Sequence, residues 1–136
     1  MKDKVFIDSN LWIYLFADNS EKQIIVEQII SIYFKDIIVS TQILNETYNV
    51  LYKKIKLHHS EIKQIILKII ESFSIAEVSH YDVSEALEIK GEYNFSYWDS
   101  LIIASAIKNR CNILFSEDLQ HNQVINNSLK IINPFF

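Results

Sequence analysis

The stretch that decides the fold is KVFIDSN, residues 4–10. Its first four residues predict a short apolar strand, and Asp8 follows this strand directly. Asp is unfavourable in β-strands, so an Asp that directly follows such a strand calls for a physical explanation. If the chain forms a parallel α/β sheet, Asp8 lies at the carboxyl edge of the sheet, where such folds bind ligands.

Three further acids occupy comparable positions along the chain. Glu46 ends STQILNE (residues 40–46), Asp99 lies near the start of SYWDSLIIASA (residues 96–106), and Asp118 lies in ILFSEDLQ (residues 113–120). Two carboxylates held ~4 Å apart repel by about 4 kcal/mol at an effective dielectric near 20. A divalent cation turns that repulsion into binding, and carboxylate oxygens suit Mg²⁺ or Mn²⁺.

Each acid also has a purely structural explanation. Asp8 and Asp118 can cap helices, and Glu46 can interact with a helix dipole. Ser96 and Asp99 have the spacing of a capping box. Four such acids at one expected sheet edge nevertheless favour a shared cation.

Composition sets the broad class. A chain of 136 residues with 49% hydrophobic and 22% charged residues is typical of one globular domain, and a single Gly and a single Pro indicate few long loops. The net charge of −4 argues against a simple basic nucleic-acid binder. The single cysteine, Cys111, and the absence of a signal-peptide core or a membrane-length apolar stretch lead us to expect a cytoplasmic protein with no membrane association.

Strands and helices are expected to alternate, which predicts a mostly parallel sheet covered on both faces. The predicted strands are residues 4–7, 37–39, 74–78, 113–115 and 129–132. Helices are predicted to begin near Asn10, Ser20, Thr41, Ser60, Tyr81 and Ser96. Gly91 is expected to end the fifth helix, and residues 119–127 are expected to form a helical turn or short helix.

The order FIDSN, an acid in the helix after the second strand, YWDSLIIASA and LFSEDL resembles a PIN domain nuclease, in particular the VapC-like toxins of bacterial type II toxin–antitoxin systems. The resemblance covers residues 1–136 as a single PIN-like domain. It implies an α/β/α sandwich with a five-stranded, mostly parallel sheet and helices on both faces. It also implies a Mg²⁺- or Mn²⁺-dependent endoribonuclease with an RNA substrate, a cognate antitoxin partner and a homodimeric state.

Carried over residue by residue, the resemblance implies four metal-binding and catalytic acids and three supporting residues. The acids are Asp8, Glu46, Asp99 and Asp118, and the supporting residues are Asn10, Ser116 and Glu117. Asp8 and Asp99 are expected to hold the principal ion. Glu117 competes with its neighbour Asp118 for the fourth place, and both one-ion and two-ion arrangements remain open.

Two other functions are considered. A haloacid-dehalogenase-like phosphatase also begins with an Asp after its first strand, but it needs a second Asp where this chain has Asn10. A non-catalytic α/β binding module would use the acids as caps or as cation ligands without hydrolysis. The chain lacks P-loop, dinucleotide and serine-hydrolase fingerprints, and its histidines are scattered.

Basic and aromatic residues near the expected site admit both functional and structural interpretations. The basic residues are Lys53, Lys54, Lys56, Lys108 and Arg110, and the aromatic ones are Tyr93, Phe95, Tyr97 and Trp98. The basic group suits either an RNA backbone or solvated helix ends. The aromatic group suits either base stacking or core packing.

Overall fold

The computed structural model describes residues 3–17 and 20–136. Its strands are β1 (Val5–Ile7), β2 (Ile37–Ser40), β3 (Ser74–Ala76), β4 (Ile113–Phe115), β5 (Val124–Ile125) and β6 (Leu129–Ile132). Its α-helices are α1 (Ser9–Ala17), α2 (Glu21–Tyr33), α3 (Thr41–Lys53), α4 (His59–Ser72), α5 (His80–Tyr93) and α6 (Tyr97–Lys108). A 3₁₀ turn at Phe34–Asp36 precedes β2.

The sheet has the order β3-β2-β1-β4-β6-β5. β1 pairs in parallel with β2 on one side and with β4 on the other, with Ile7 opposite Phe115. The chain therefore leaves β1 toward β2 and β3, and later returns to the opposite side of β1 as β4. This arrangement places the carboxyl end of β1 at the topological switch point, the usual ligand site of a parallel sheet.

The core surrounds the central strands. Every residue of β1 and β2 is buried, as expected for strands covered on both faces by helices. α6 is buried without interruption from Ser100 to Ala106, which explains why its sequence is apolar around the whole helix. The predicted mostly parallel α/β architecture is confirmed.

Two local predictions are wrong. Part of the segment 119–127, which was expected to be helical, instead forms the two-residue strand β5, which pairs antiparallel with β6 at the edge of the sheet. α5 also continues past Gly91 to Tyr93, and Asn94 ends it in the left-handed conformation with φ 62°. Asn is the other residue that tolerates this conformation, so a glycine is not required.

The predicted cap at Ser96 is confirmed, and Ser40 caps α3 in the same way. Ser40 Oγ accepts a hydrogen bond from the amide of Ile43, and Ser96 Oγ accepts one from the amide of Asp99. These caps fix the starts of α3 and α6, the helices that carry Glu46 and Asp99. No helix in the described parts of the chain has both the length and the apolar character needed to cross a membrane.

Asparagine replaces glycine at several turns. Asn126 and Asn127, between β5 and β6, both have positive φ, and the amide of Ser128 donates to the carbonyl of Ile125. A two-residue turn of this kind is most favourable with glycine at its second central position.

We expect Asn127→Gly to raise the free energy of unfolding by about 0.5–1 kcal/mol, because glycine adopts positive φ without a steric cost. Asn127→Ala should lower it by a comparable amount. Chemical denaturation of both variants and wild type tests this, and a stabilising alanine would contradict it.

Candidate active site

Asp8 lies at the centre of the candidate site. Its side chain is 5% exposed and lies directly after β1, where its backbone amide donates to the carbonyl of Phe115. One carboxylate oxygen accepts a hydrogen bond from the Ser9 amide at 2.7 Å, and the other accepts one from Ser116 Oγ at 2.8 Å. Ser116 follows β4, so the parallel pairing of β1 and β4 brings these two residues together.

Glu46 reaches the same region from the second turn of α3. Its carboxylate accepts a hydrogen bond from Ser9 Oγ at 3.3 Å and one from Gln42 Nε2 at 3.0 Å. Gln42 lies one helical turn before Glu46 and is itself buried. The side chain of Glu46 is thus oriented by its own helix and by the residue that follows Asp8.

Asp99 lies in the first turn of α6. The Ser96 side chain caps this helix, but the Asp99 carboxylate has no hydrogen-bond donor or ion-pair partner among the described residues. The reciprocal bond of a capping box is therefore not made by Asp99. The negative charge of Asp99 raises the pKa of both Asp8 and Glu46.

Asp118 is connected to the site through Asn10. Asn10 Nδ2 donates to the Asp118 carboxylate at 3.1 Å, and the amide of Asp118 donates to Ser116 Oγ at 3.3 Å. No helix follows Asp118 in the structure, so the capping explanation of this acid does not hold. The Asp118 side chain is exposed at the rim of the site.

The electrostatics of the site reflect burial and mutual repulsion. Burial raises the pKa of Asp8 to about 6, hydrogen bonds from Ser116 and Ser9 oppose the shift, and the carboxylates of Glu46 and Asp99 add to it. Burial also raises the pKa of Glu46, which the charge of Asp99 raises further. Carboxylates that oppose one another's ionisation are typical of functional sites.

Glu117 has a different environment from Asp118. Its carboxylate pairs with Lys22 and accepts a hydrogen bond from the Tyr14 hydroxyl. Although partial burial opposes the shift, these hydrogen bonds hold the pKa of Glu117 below its ordinary value. The Lys22 ammonium also lies over the rings of Tyr14 and Phe135, at 4.8 and 5.1 Å from their centroids. Glu117 therefore links α1, through Tyr14, and α2, through Lys22, to the segment that follows β4.

The donor set fits a hard divalent cation. The side chains around Asp8 offer oxygen atoms, and Asn10 Oδ1 is buried without a hydrogen-bond partner among the described residues. The acids are not drawn together into a complete shell, because no three Asp, Glu, His or Cys side chains within residues 3–17 and 20–136 lie close enough to hold one ion. Glu46 and Asp118 are instead held by protein donors, namely Ser9, Gln42 and Asn10.

The structure separates the other candidate residues by role. Lys108 Nζ lies 3.3 Å from the buried carboxylate of Asp82 and so supports the packing of α5 against α6. Among the four aromatic candidates, Trp98 is the one that is largely exposed, with 63% of its surface open. Sequence reasoning missed Gln42, although its position four residues before Glu46 on an amphipathic helix was a usable signal.

With this geometry in place, comparison with known families gives a clear result. Residues 5–126 match the model of the PIN domain. The chain belongs to the PIN domain family, which confirms the resemblance and removes the basis for the phosphatase alternative. Comparison with curated proteins finds no match.

Solved structures show the same fold. The VapC20 toxin of Mycobacterium tuberculosis, described as cleaving the sarcin–ricin loop, superposes with a TM-score of 0.71 at 15% identity over 85% of this chain and 92% of that one. A toxin–antitoxin complex from Klebsiella pneumoniae gives 0.73 at 18% identity, covering 96% and 98%. DNA-bound VapBC from Salmonella typhimurium gives 0.73 at 13% identity, covering 96% and 97%.

The raised pKa of Asp8 predicts a stability change that can be measured without activity. The folded state holds this proton more tightly than the unfolded chain, so ionisation between about pH 4 and 6 lowers the free energy of unfolding. In EDTA at pH 7, Asp8→Asn should be more stable than wild type by about 1–3 kcal/mol, and the gap should shrink toward pH 4.

Urea denaturation of both proteins across this pH range tests the prediction, with Asp118→Asn as a control at an exposed acid of the same site. A wild type that equals or exceeds Asp8→Asn in stability at pH 7 would contradict it.

Proposed function

We propose that this PIN domain is a metal-dependent endoribonuclease that hydrolyses RNA phosphodiester bonds, and that it acts as the toxin of a toxin–antitoxin pair. The observation that carries the proposal is the buried Asp8 at the switch point, with Glu46 and Asp99 close enough to raise its pKa. Carboxylates that raise one another's pKa cost stability, and a bound divalent cation would offset that cost.

Four acids are the proposed metal ligands, and three neighbouring polar residues orient them. Asp8 and Asp99 are the principal ligands of Mg²⁺ or Mn²⁺, and Glu46 and Asp118 complete the shell directly or through water. When bound, such an ion lowers the pKa of water and polarises a phosphate oxygen. Ser116 and Ser9 hold the Asp8 carboxylate in one orientation, and Asn10 holds Asp118.

Asp118 rather than Glu117 is the fourth acid in this proposal. Glu117 already neutralises Lys22 and accepts from Tyr14, so its carboxylate is committed to the protein scaffold. Asp118 is connected to the site through Asn10 and the Ser116 hydroxyl. Asp118 therefore has a catalytic role in this proposal, and its neighbour Glu117 has a structural one.

RNA is the proposed substrate, in line with the resemblance to VapC-like toxins and with the structurally similar VapC20, which is described as cleaving the sarcin–ricin loop. We further propose that residues 1–136 act as one domain and that the protein works in the cytoplasm, where such an RNA is found. The net charge of −4 is compatible with an RNA substrate because a bound cation reverses the sign of the acidic site.

We expect wild type to cleave RNA with Mg²⁺ or Mn²⁺ and to stop when EDTA is added. Asp8→Asn and Asp99→Asn should lower the rate at least ~100-fold, or about 2.7 kcal/mol of barrier. Asp118→Asn should lower it at least ~10-fold, whereas Glu117→Gln should stay near wild type. Single-turnover cleavage of labelled RNA measures each rate.

Thermal unfolding with and without Mn²⁺ complements this assay. A stabilising shift in wild type that Asp8→Asn loses would place the ion at Asp8 independently of cleavage. Binding of Mn²⁺ without any RNA cleavage would support the non-catalytic binding module instead, and full activity of folded Asp8→Asn or Asp99→Asn would refute the assignments.

We also propose a homodimer and a small DNA-binding antitoxin as partners, since similar folds occur in a toxin–antitoxin complex and in DNA-bound VapBC. Size exclusion with light scattering should give twice the mass of one chain, and a strict monomer at micromolar concentration would refute the dimer. The antitoxin should co-purify with the protein and block RNA cleavage. Cleavage that persists in the purified complex would refute inhibition.

A further inference from the structure

The groove beside the acidic site has features that metal binding does not use. It has a volume of about 610 Å³, and its lining includes Gln42, Asn45, Glu46, Asn49 and Trp98. We propose that this groove binds an unpaired nucleobase of single-stranded RNA next to the cleaved phosphate, with Trp98 as the stacking platform. The inference rests on the proposed ribonuclease function and names the part of the substrate that the protein recognises.

Trp98 has the exposure of a stacking platform. Its side chain is 63% exposed although it is directly followed by Asp99 in the site. The indole meets the Tyr97 ring edge-on, with centroids 5.2 Å apart, but most of its apolar surface is open to solvent, so packing explains only part of its position. Aromatic rings of this kind stack on the faces of unpaired bases, an interaction that tolerates every base.

The part of the groove formed by α3 carries a row of amides. Gln42, Asn45 and Asn49 lie three and four residues apart, on one side of α3. Asn45 and Asn49 are exposed, and their side chains have no hydrogen-bond partner among the described residues. An amide offers both donors and an acceptor, which is the combination that the edge of a base requires.

Gln42 connects the groove to the acids. Its Nε2 donates to Glu46 and to the carbonyl of Trp98, both at 3.0 Å, so both donors are used. Its side chain is 8% exposed, and its Oε1 has no partner within the described part of the chain. Gln42 is therefore a positioning residue that fixes the indole-bearing segment relative to a proposed metal ligand.

The charge of the groove favours a base over a phosphate. No lysine or arginine is present among the described residues that line it, and the lining residue Glu46 brings a carboxylate. A phosphate would be repelled there, whereas a neutral base would not. The proposed metal site, a short distance along α3 at Glu46, would receive the phosphate that adjoins the bound base.

The two tryptophans make a direct test possible. Trp12 is fully buried and Trp98 is open, so quenching of tryptophan fluorescence by added RNA reports on Trp98. In EDTA, where no cleavage occurs, a short single-stranded oligoribonucleotide should quench the emission. An abasic oligomer of the same length and charge should not.

Variants test the same point by anisotropy of labelled RNA. Trp98→Ala should weaken binding about tenfold, or about 1.4 kcal/mol, and Asn45→Ala with Asn49→Ala should weaken it further. Tyr81→Ala on α5 and Gln64→Ala on α4 are matched controls, because both side chains are exposed and lie outside the groove. Circular dichroism verifies that each variant is folded.

Equal binding of abasic and normal oligomers, or unchanged affinity in Trp98→Ala, would overturn the proposal and leave the groove to a protein partner. Because binding is measured without metal, the result is independent of cleavage. Base-dependent binding without RNA cleavage would support the base-binding groove and refute the nuclease activity. RNA cleavage at an unchanged rate in Trp98→Ala would support the nuclease activity and contradict the base-binding groove.

Discussion

The desolvation of Asp8 is the constraint on which the rest of the site depends. A carboxylate that is almost entirely buried must be protonated, hydrogen-bonded or paired with a cation, because an isolated charge in a protein interior is strongly unfavourable. The sheet provides part of the answer through Ser116, which follows the strand next to Asp8, and through the amide of Ser9. These two donors do not fully offset burial and the repulsion from the Glu46 and Asp99 carboxylates, so the pKa of Asp8 stays raised. The buried strands around Asp8 supply the stability that makes this unfavourable arrangement possible.

The same reasoning separates acids that serve the scaffold from acids that serve the site. Asp82 is as buried as Asp8, but its carboxylate accepts a hydrogen bond from the backbone amide of Ser79 and lies beside Lys108. Glu117 is adjacent to Asp118 in sequence, yet Lys22 and Tyr14 hold its carboxylate. Asp99, by contrast, has no protein donor within the described residues. Within the described residues, a lysine partner rather than burial distinguishes the two groups: Asp82 and Glu117 each pair with a lysine, and the proposed site acids do not.

Much of the fold could be predicted from the sequence because strongly apolar segments with clear caps leave few alternatives. The strands at Val5–Ile7 and Ile113–Phe115 and the cap at Ser96 depend on local chemistry, and local patterns predicted them. β5 could not be recognised in this way, since two residues carry no periodicity and its pairing with β6 is a tertiary contact. Likewise, Gly91 offered a helix stop that Asn94 in fact provides.

The site shows the same boundary between local and long-range information. A shared edge for Asp8, Glu46, Asp99 and Asp118 followed from the strand–helix order, but the commitment of Glu117 to Lys22 depends on a contact across 95 positions. The role of Gln42 depends on the approach of α6 to α3, which no single segment encodes. One consequence concerns α3 itself. Because this helix carries both Glu46 and the amide row, any displacement of α3 moves the proposed base site and the proposed metal ligand together. Recognition and catalysis would then share one rigid element, so a base that fits poorly would also misplace the phosphate at the acids.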